Sequence, residues 1–127
     1  MEKDFESWNK LKKDLHHRVS NAIAHPREIW WCSFGVNIGA ELDGKNERFE
    51  RPAIVIKVYN RETMLVLPLT SKKKNDMFHI KIIIKNKASW VKLTQLRVIS
   101  NKRLQRKVGV LKEDKYKEIV FSLRTFM

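Results

Sequence analysis

Apolar side chains first recur at helical spacing. Phe5, Trp8, Leu11, Leu15, Val19 and Ala22-Ile23 fall three or four residues apart, while Lys3, Asp4, Lys10, Lys12, Lys13 and Asp14 fill the other faces. This pattern predicts an amphipathic helix over residues 3–24, whose stripe needs an apolar surface to lie on. Pro26 disfavours helical geometry at His25 and so stops the helix there. Glu28 to Phe34 follows with aromatic and β-branched residues and predicts a first strand. Gly35-Val-Asn-Ile-Gly39 breaks it, and a loop rich in Glu, Lys, Asn and Arg runs on to Arg51.

The strongest signal is the next hairpin. Arg51-Pro52 opens it, since proline with its fixed φ and missing donor suits the first position of a strand. Ala53 to Val58 is a continuous apolar run and predicts a strand buried on more than one side. Tyr59-Asn-Arg-Glu-Thr63 is polar enough to turn the chain but lacks an Asn-Gly or Asp-Gly pair. Met64 to Leu67 returns, and Pro68 ends the ladder. With antiparallel strands, Thr70-Ser71 comes back to the level of Arg51, so a guanidinium and two hydroxyls gather at one sheet edge, an arrangement suited to phosphate oxygens.

Further on, Met77 to Lys85 predicts a strand, Asn86 to Ser89 a turn and Trp90 to Ile99 another strand. Alternation places Val91, Leu93 and Gln95 on one face of the latter and Lys92, Thr94 and Leu96 on the other. Ser100 is a helix cap, which predicts a short helical turn over residues 101–107 ended by Gly109. Tyr116, Ile119, Val120 and Leu123 predict a helix over residues 112–125. Short strands with a helix at each end predict a mainly β (α+β) domain, a small bent sheet or partly open barrel. No repeat, low-complexity linker or composition break divides the 127 residues, so a single domain is expected, large enough to bury about two-thirds of its unfolded surface.

Charge narrows the partners. Lys and Arg number 27 against 14 Asp and Glu, a formal net charge of +13, which favours capture of a polyanion, and nucleic acid is the commonest inside cells. A Lys-rich surface that serves only solubility is the plainer alternative. No run approaches a membrane span and no terminus combines a basic face with strong aromatic anchoring, so no membrane partner is expected. One cysteine, Cys32, permits no internal disulfide, fits a reducing compartment and, with no leader-like apolar region, points to the cytoplasm.

Several residue types have two readings. Cys32, in a strand between Trp31 and Ser33, reads as packing rather than as a nucleophile. His16 and His17, as helix neighbours, point in different directions and do not make a two-histidine ribonuclease pair. His79 serves the site only if it faces the same groove. Trp30 and Trp31 fall on opposite strand faces, one toward a core and the other toward an interface. Base stacking is open to Trp30, Trp31, Phe34 and Trp90, although core or dimer packing is the plainer role. Lys72, Lys73 and Lys74 directly follow Thr70-Ser71 and are either phosphate contacts or a solvated loop.

Glu28-Ile-Trp-Trp, Gly35, Asn37-Ile-Gly39, Glu41, Arg51-Pro52 with its apolar strand, Pro68-Leu-Thr70-Ser71, Gln95-Leu-Arg97, Ile99-Ser100 and Arg103-Leu104, in that order, resemble the MazF/PemK family of toxin endoribonucleases. The resemblance runs from Glu28 nearly to the C-terminus and places the family domain at residues 27–127, with residues 3–24 as an added helix. It implies an SH3-like small β-barrel with a C-terminal helix, a homodimer, and a cognate antitoxin lying across the RNA groove. It also implies sequence-specific cleavage of single-stranded RNA such as mRNA without metal or other cofactor. There the 2′-hydroxyl attacks the adjacent phosphorus and leaves 2′,3′-cyclic phosphate and 5′-hydroxyl ends. Arg51, Thr70 and Glu41 are then the catalytic candidates, and Ser71, Lys72, Lys73, Lys92 and Gln95 contact RNA.

Physical chemistry agrees for Arg51, whose planar fork holds two phosphate oxygens at once. Thr70 and Ser71 have the alternative of bonding nearby backbone at a strand end. Glu41 is a base, a partner that orients Arg51, or a solvated loop acid. The chain departs from the family in its long loop between Glu41 and Arg51, in its added helix, and in Thr94, which stands where some members carry an acid two residues after the position of Lys92. The alternatives on the same fold are a non-catalytic toxin that binds gyrase and an RNA-binding module without nuclease chemistry.

Overall fold

Strands β2 (Glu50–Asn60) and β3 (Thr63–Thr70) form the central hairpin of the computed structural model, which describes residues 4–17, 22–34 and 50–126. Around it lie α1 (Phe5–His17), β1 (Glu28–Ser33), β4 (His79–Ile84), β5 (Lys87–Lys92), β6 (Arg97–Ser100), β7 (Leu104–Val110) and α2 (Glu113–Phe126). The sheet is antiparallel in the order β4-β5-β3-β2-β1-β7, with β6 also paired to β3. Ala53 faces Pro68 and Val55 faces Val66 across the hairpin. The turn is tighter than the sequence suggests. Asn60 Oδ1 accepts the Glu62 N–H at 2.9 Å, and this side-chain bond closes a turn over Arg61-Glu62 without a glycine.

Strand β3 has two successive neighbours on its outer side, and this is why the predicted strand from Trp90 to Ile99 divides. Strand β5 pairs only with the end of β3, Val91 facing Leu69 and Trp90 facing Thr70. Strand β6 pairs with its beginning, from Arg97 opposite Val66 to Ser100 opposite Thr63. Between Val91 and Arg97 the chain spends more residues than β3 does between Leu69 and Val66, and the surplus forms the 3-10 turn Leu93–Gln95. This break lets the sheet curl.

The expected helical turn over residues 101–107 is also corrected. Ser100 does cap, accepting the Lys102 N–H at 3.2 Å, but the 3-10 turn covers only Asn101–Arg103. Leu104 to Val110 then forms β7, with Gly109 inside the strand. Its alternation is blurred because Arg106 and Lys107 are both exposed and its ladder with β1 is interrupted by register shifts.

Both faces of the hairpin are buried, as the continuous apolar run predicts. One face carries Ile54, Ile56, Leu67 and Leu69, which pack with Ile29, Val91 and Leu93 against Ile119 and Leu123 of α2. The Tyr116 hydroxyl of α2 donates to the Ile56 carbonyl. The other face carries Ala53, Val55, Met64 and Val66 with Cys32, Phe34, Ile99 and Leu104.

Helix α1 is shorter than the predicted 3–24. Residues 18–21 lie outside the described region, and residues 22–25 are not helical. Ala24 is buried in the second cluster, and the Ala22 carbonyl accepts from Asn101 Nδ2 at 3.3 Å. Trp8 and Leu15 bury their stripe on the chain itself, where the Arg103 guanidinium stacks 5.6 Å from the Trp8 ring and Lys102 Nζ donates to the His16 carbonyl at 2.9 Å. Full burial of an Ile or Leu is worth about 1.5–3 kcal/mol. The first cluster therefore outweighs the small one under α1. Among the described residues, no helix is long and apolar enough to cross a membrane.

Candidate functional site

The register brings Arg51 and Thr70 together. Arg51 faces Cys32 on β1, and extending the β2–β3 ladder beyond Ala53–Pro68 sets it level with Thr70. Both lie on the sheet face of Ala53, Val55 and Val66. Arg51 is only 7% exposed, and its Nη1 donates to the Leu69 carbonyl at 3.3 Å. A guanidinium anchored to backbone beside the threonine presents its charge in a fixed orientation. Thr70 is likewise buried, and its Oγ1 accepts the Lys72 N–H at 3.2 Å. The hydroxyl thus helps to turn the chain, as the plainer sequence reading holds, while its own hydrogen remains to be donated. Ser71 is exposed at the start of the basic loop.

Lys92 completes a cationic cluster on this face, two residues along β5 from Trp90, the partner of Thr70. Burial pushes its ammonium below the ordinary lysine range, and the charges of Lys74, Arg51 and, more weakly, Lys72 push the same way, while Asp76 opposes them. Among the described residues, three cations thus act on Lys92 against the carboxylate of Asp76. Such an excess is relieved by a bound anion. Lys73 is exposed on the same loop. Gln95 lies further along, in the 3-10 turn. It lines a cavity of ≈ 320 Å³ with Phe34, Pro68 and Arg97, and the Arg97 guanidinium stacks 5.1 Å from the Phe34 ring. The break at Leu93–Gln95 takes Gln95 out of the predicted alternation. Glu41 lies outside the described residues, as does the whole segment 35–49.

His79 stands directly across from Lys92, so it belongs to the same face, as the site reading requires. Its Nδ1 lies 2.6 Å from Asp76 Oδ1, and its buried Nε2 has no hydrogen-bond partner among the described residues. The hydrogen bond from His79 holds the Asp76 carboxyl below its usual range. His16 is exposed on α1.

The sequence reading passed over Glu50, a fully buried carboxylate whose Oε2 accepts from Arg106 Nη1 at 2.9 Å. Arg106 also stacks 4.9 Å from Trp31. Only the unexpected β7 puts that arginine opposite Trp31. Trp30 turns the other way, toward the second cluster, and its Nε1 donates to Glu28 Oε1 at 3.0 Å. Cys32 is core: burial pushes its thiol up to about 12. Among the described residues, no three His, Cys, Asp or Glu side chains converge as a metal site would require.

A curled antiparallel half-barrel with a C-terminal helix is the architecture of the MazF fold. Residues 25–127 match the family described as PemK-like, MazF-like toxins of type II toxin-antitoxin systems, and the chain belongs to that family. The fold is similar to MazF from Deinococcus radiodurans, with a TM-score of 0.71 at 20% identity, covering 84% of this chain and 97% of that one. It is also similar to a MazE-MazF structure from the same organism, with a TM-score of 0.66 at 18% identity over 84% and 96% of the two chains. An endoribonuclease in complex with its cognate antitoxin from a mycobacterial species gives 0.63 at 10% identity over 80% and 92%. A comparison with curated proteins gives no match.

Proposed function

We propose that this chain is the toxin endoribonuclease of a type II toxin-antitoxin system and cleaves single-stranded RNA by internal transphosphorylation. The observation that carries the reading is the crowding of Arg51, Lys72, Lys74 and Lys92 at the end of β3 that holds Thr70. In the reaction the substrate's 2′-hydroxyl oxygen bonds to the adjacent phosphorus as the bond to the 5′ oxygen breaks. The 2′-hydroxyl gives up its proton, the leaving oxygen gains one, and the products are a 2′,3′-cyclic phosphate and a 5′-hydroxyl.

Arg51 binds the non-bridging oxygens, on which charge builds in the transition state. Thr70 donates its hydroxyl hydrogen to the same phosphate, and Lys92 with Lys72 neutralises the neighbouring strand. Ser71, Lys73 and Gln95 contact the flanking nucleotides. Glu41 is the candidate base, as the family resemblance implies. Partners are a second copy of the chain and an antitoxin, in keeping with the toxin-antitoxin complexes among its structural neighbours.

The test is incubation of wild type and Arg51→Ala with a long single-stranded RNA in chelator, followed by mapping of the new 5′ ends. Discrete cuts bearing 5′-hydroxyls in wild type, lost in the variant, support the reading. Salt-sensitive binding without cleavage would replace it with a binding module, and neither binding nor cleavage would turn attention to gyrase.

A further inference from the structure

Strand β3 ends at Thr70, but its neighbours do not end with it. Pro52 on β2 lies level with Leu69, just before that end, and Lys87 to Ser89 on β5 lie past Trp90, the partner of Thr70. Beside this strand end, between Pro52 on one side and Lys87 and Ser89 on the other, lies a cavity of ≈ 350 Å³. Its apolar floor includes Trp31, Pro52 and Val108, and its rim carries Lys85, Lys87 and Arg106. It opens on the sheet face opposite Arg51, since Pro52 follows Arg51 directly and side chains alternate along a strand. The cavity and the Arg51–Thr70 site thus flank the same strand end.

The rim charges differ in availability. Arg106 is held by Glu50 and stacked on Trp31. Lys85 and Lys87 are exposed and form no ion pair with any described carboxylate. They flank Asn86 in the tight β4–β5 turn, where Lys85 at φ 49° and Asn86 at φ 65° hold left-handed geometry. A turn closed in this way fixes where both ammonium groups start, against the apolar wall.

An apolar floor that includes an aromatic ring, with lysines on its rim, is a composition that binds single-stranded nucleic acid, because a base rests against the apolar wall while phosphates meet the charges. We propose that this cavity is a second RNA subsite, which takes the strand after it rounds the end of β3 from the scissile phosphate. The subsite rests on the ribonuclease reading of the Arg51–Thr70 site. It binds backbone and shelters a base outside the cleaved motif, so it sets affinity for long RNA and leaves bond breakage untouched.

The test compares wild type with the double variant Lys85→Gln and Lys87→Gln, which keeps side-chain length and removes both charges. The substrates are a hexanucleotide centred on a mapped cut and versions of it extended by ten nucleotides on the 5′ or the 3′ side. The variant is expected to cut the hexanucleotide like wild type. On one extended RNA its KM rises about tenfold at low salt with kcat unchanged, and the log–log salt slope of binding falls by about 1.4 for two lost single-strand phosphate contacts.

Wild-type behaviour on all three RNAs overturns the subsite and leaves the ribonuclease reading standing. Equal loss on the hexanucleotide also overturns it, by placing the lysines in the cleavage site. Unchanged RNA kinetics with weakened antitoxin binding would make the cavity a peptide site instead. A wild type that cuts none of the RNAs fails the ribonuclease reading itself, and the subsite with it.

Discussion

Arg51 Nη1 donates to the backbone carbonyl of Leu69, the residue directly before Thr70. The bond crosses from the first residues of β2 to the last of β3, so it ties the guanidinium to the strand end where the threonine sits. A charged donor on a neutral carbonyl fixes direction without neutralising the charge. Preorganisation of this kind is what a site needs to stabilise phosphate charge without reorganising during the reaction.

Replacement of Arg51 by alanine is therefore expected to lower kcat for RNA cleavage by about 10²–10³-fold, the usual cost of a lost preorganised donor to a developing oxyanion. Arg51→Lys recovers little of this, because an ammonium on a flexible stem neither bridges two oxygens nor keeps the bond to Leu69. Single-turnover rates on one mapped substrate decide it. Wild-type rates in the lysine variant would remove the fork geometry from the mechanism.

Thr70 offers a cleaner dissection, since the proposed mechanism adds a second job to the bond its hydroxyl makes with the Lys72 N–H. Thr70→Ser keeps both the acceptor for the Lys72 N–H and the donor to phosphate, whereas Thr70→Val removes both at nearly constant volume. A hydrogen bond to a charged group contributes about 1.5–3 kcal/mol, so the valine variant is expected to lose roughly 10- to 150-fold in rate and the serine variant little. Equal activity in the two variants would leave Thr70 with only its strand-end role.

Much of this site can be read in the sequence because it rests on the steepest hydrophobic signal. The run Ala53 to Val58 and its return through Pro68 set the register, and the register alone brings Arg51 level with Thr70. What escaped depends on partners distant in sequence. Strand β7 hides its pattern behind Arg106 and Lys107 because it is exposed and bulged, so neither the Glu50–Arg106 pair nor the stacking on Trp31 was visible. The division of Trp90 to Ile99 reflects a residue surplus relative to β3, which no local propensity encodes. The Asp76–His79 pair is local, three residues apart, but its place beside Lys92 follows only from the β4–β5 register.

Helix α1 rests on a small cluster of its own, Trp8 and Leu15 with Leu11, and not on either barrel core. Trp8→Ala is expected to cost at most about 3 kcal/mol, the lower end for a buried aromatic truncation, and to leave RNA cleavage unchanged. Chemical denaturation and the cleavage assay on the same preparation check both halves. Loss of cleavage in a folded variant would tie α1 to the site.

Cys32 is buried against Phe34 and Ala53 with its thiol pushed up to about 12, so almost no thiolate exists at neutral pH. The native protein is expected to resist alkylation by iodoacetamide at pH 8 and to react fully once unfolded in guanidinium. Cys32→Ala should keep cleavage at the wild-type rate. Rapid labelling of the native state, by mass, would contradict the buried placement.

Lys92 gives the pH dependence. Burial, and then the charges of Lys74 and Arg51, lower its pKa in the folded chain below the ordinary 10.5. Between the lowered value and 10.5 the unfolded chain binds the proton more tightly than the folded one, so stability rises with pH across that window. Below it, the full electrostatic penalty of a charged Lys92 is present. Lys92→Gln is therefore expected to melt higher than wild type at pH 7, with the gap closing as pH approaches 10.5. The same substitution removes a cation from the site, so RNA affinity falls at pH 7 while stability increases. A bound phosphate strand reverses the balance by favouring the charged lysine, and wild-type affinity should fall with rising pH through the lowered pKa, more steeply than in the variant. Melting curves at pH 7, 9 and 10.5, with salt-matched RNA binding at each, separate the two effects. A variant that is less stable at pH 7 would mean that Lys92 is held by a favourable partner and not strained by its neighbours.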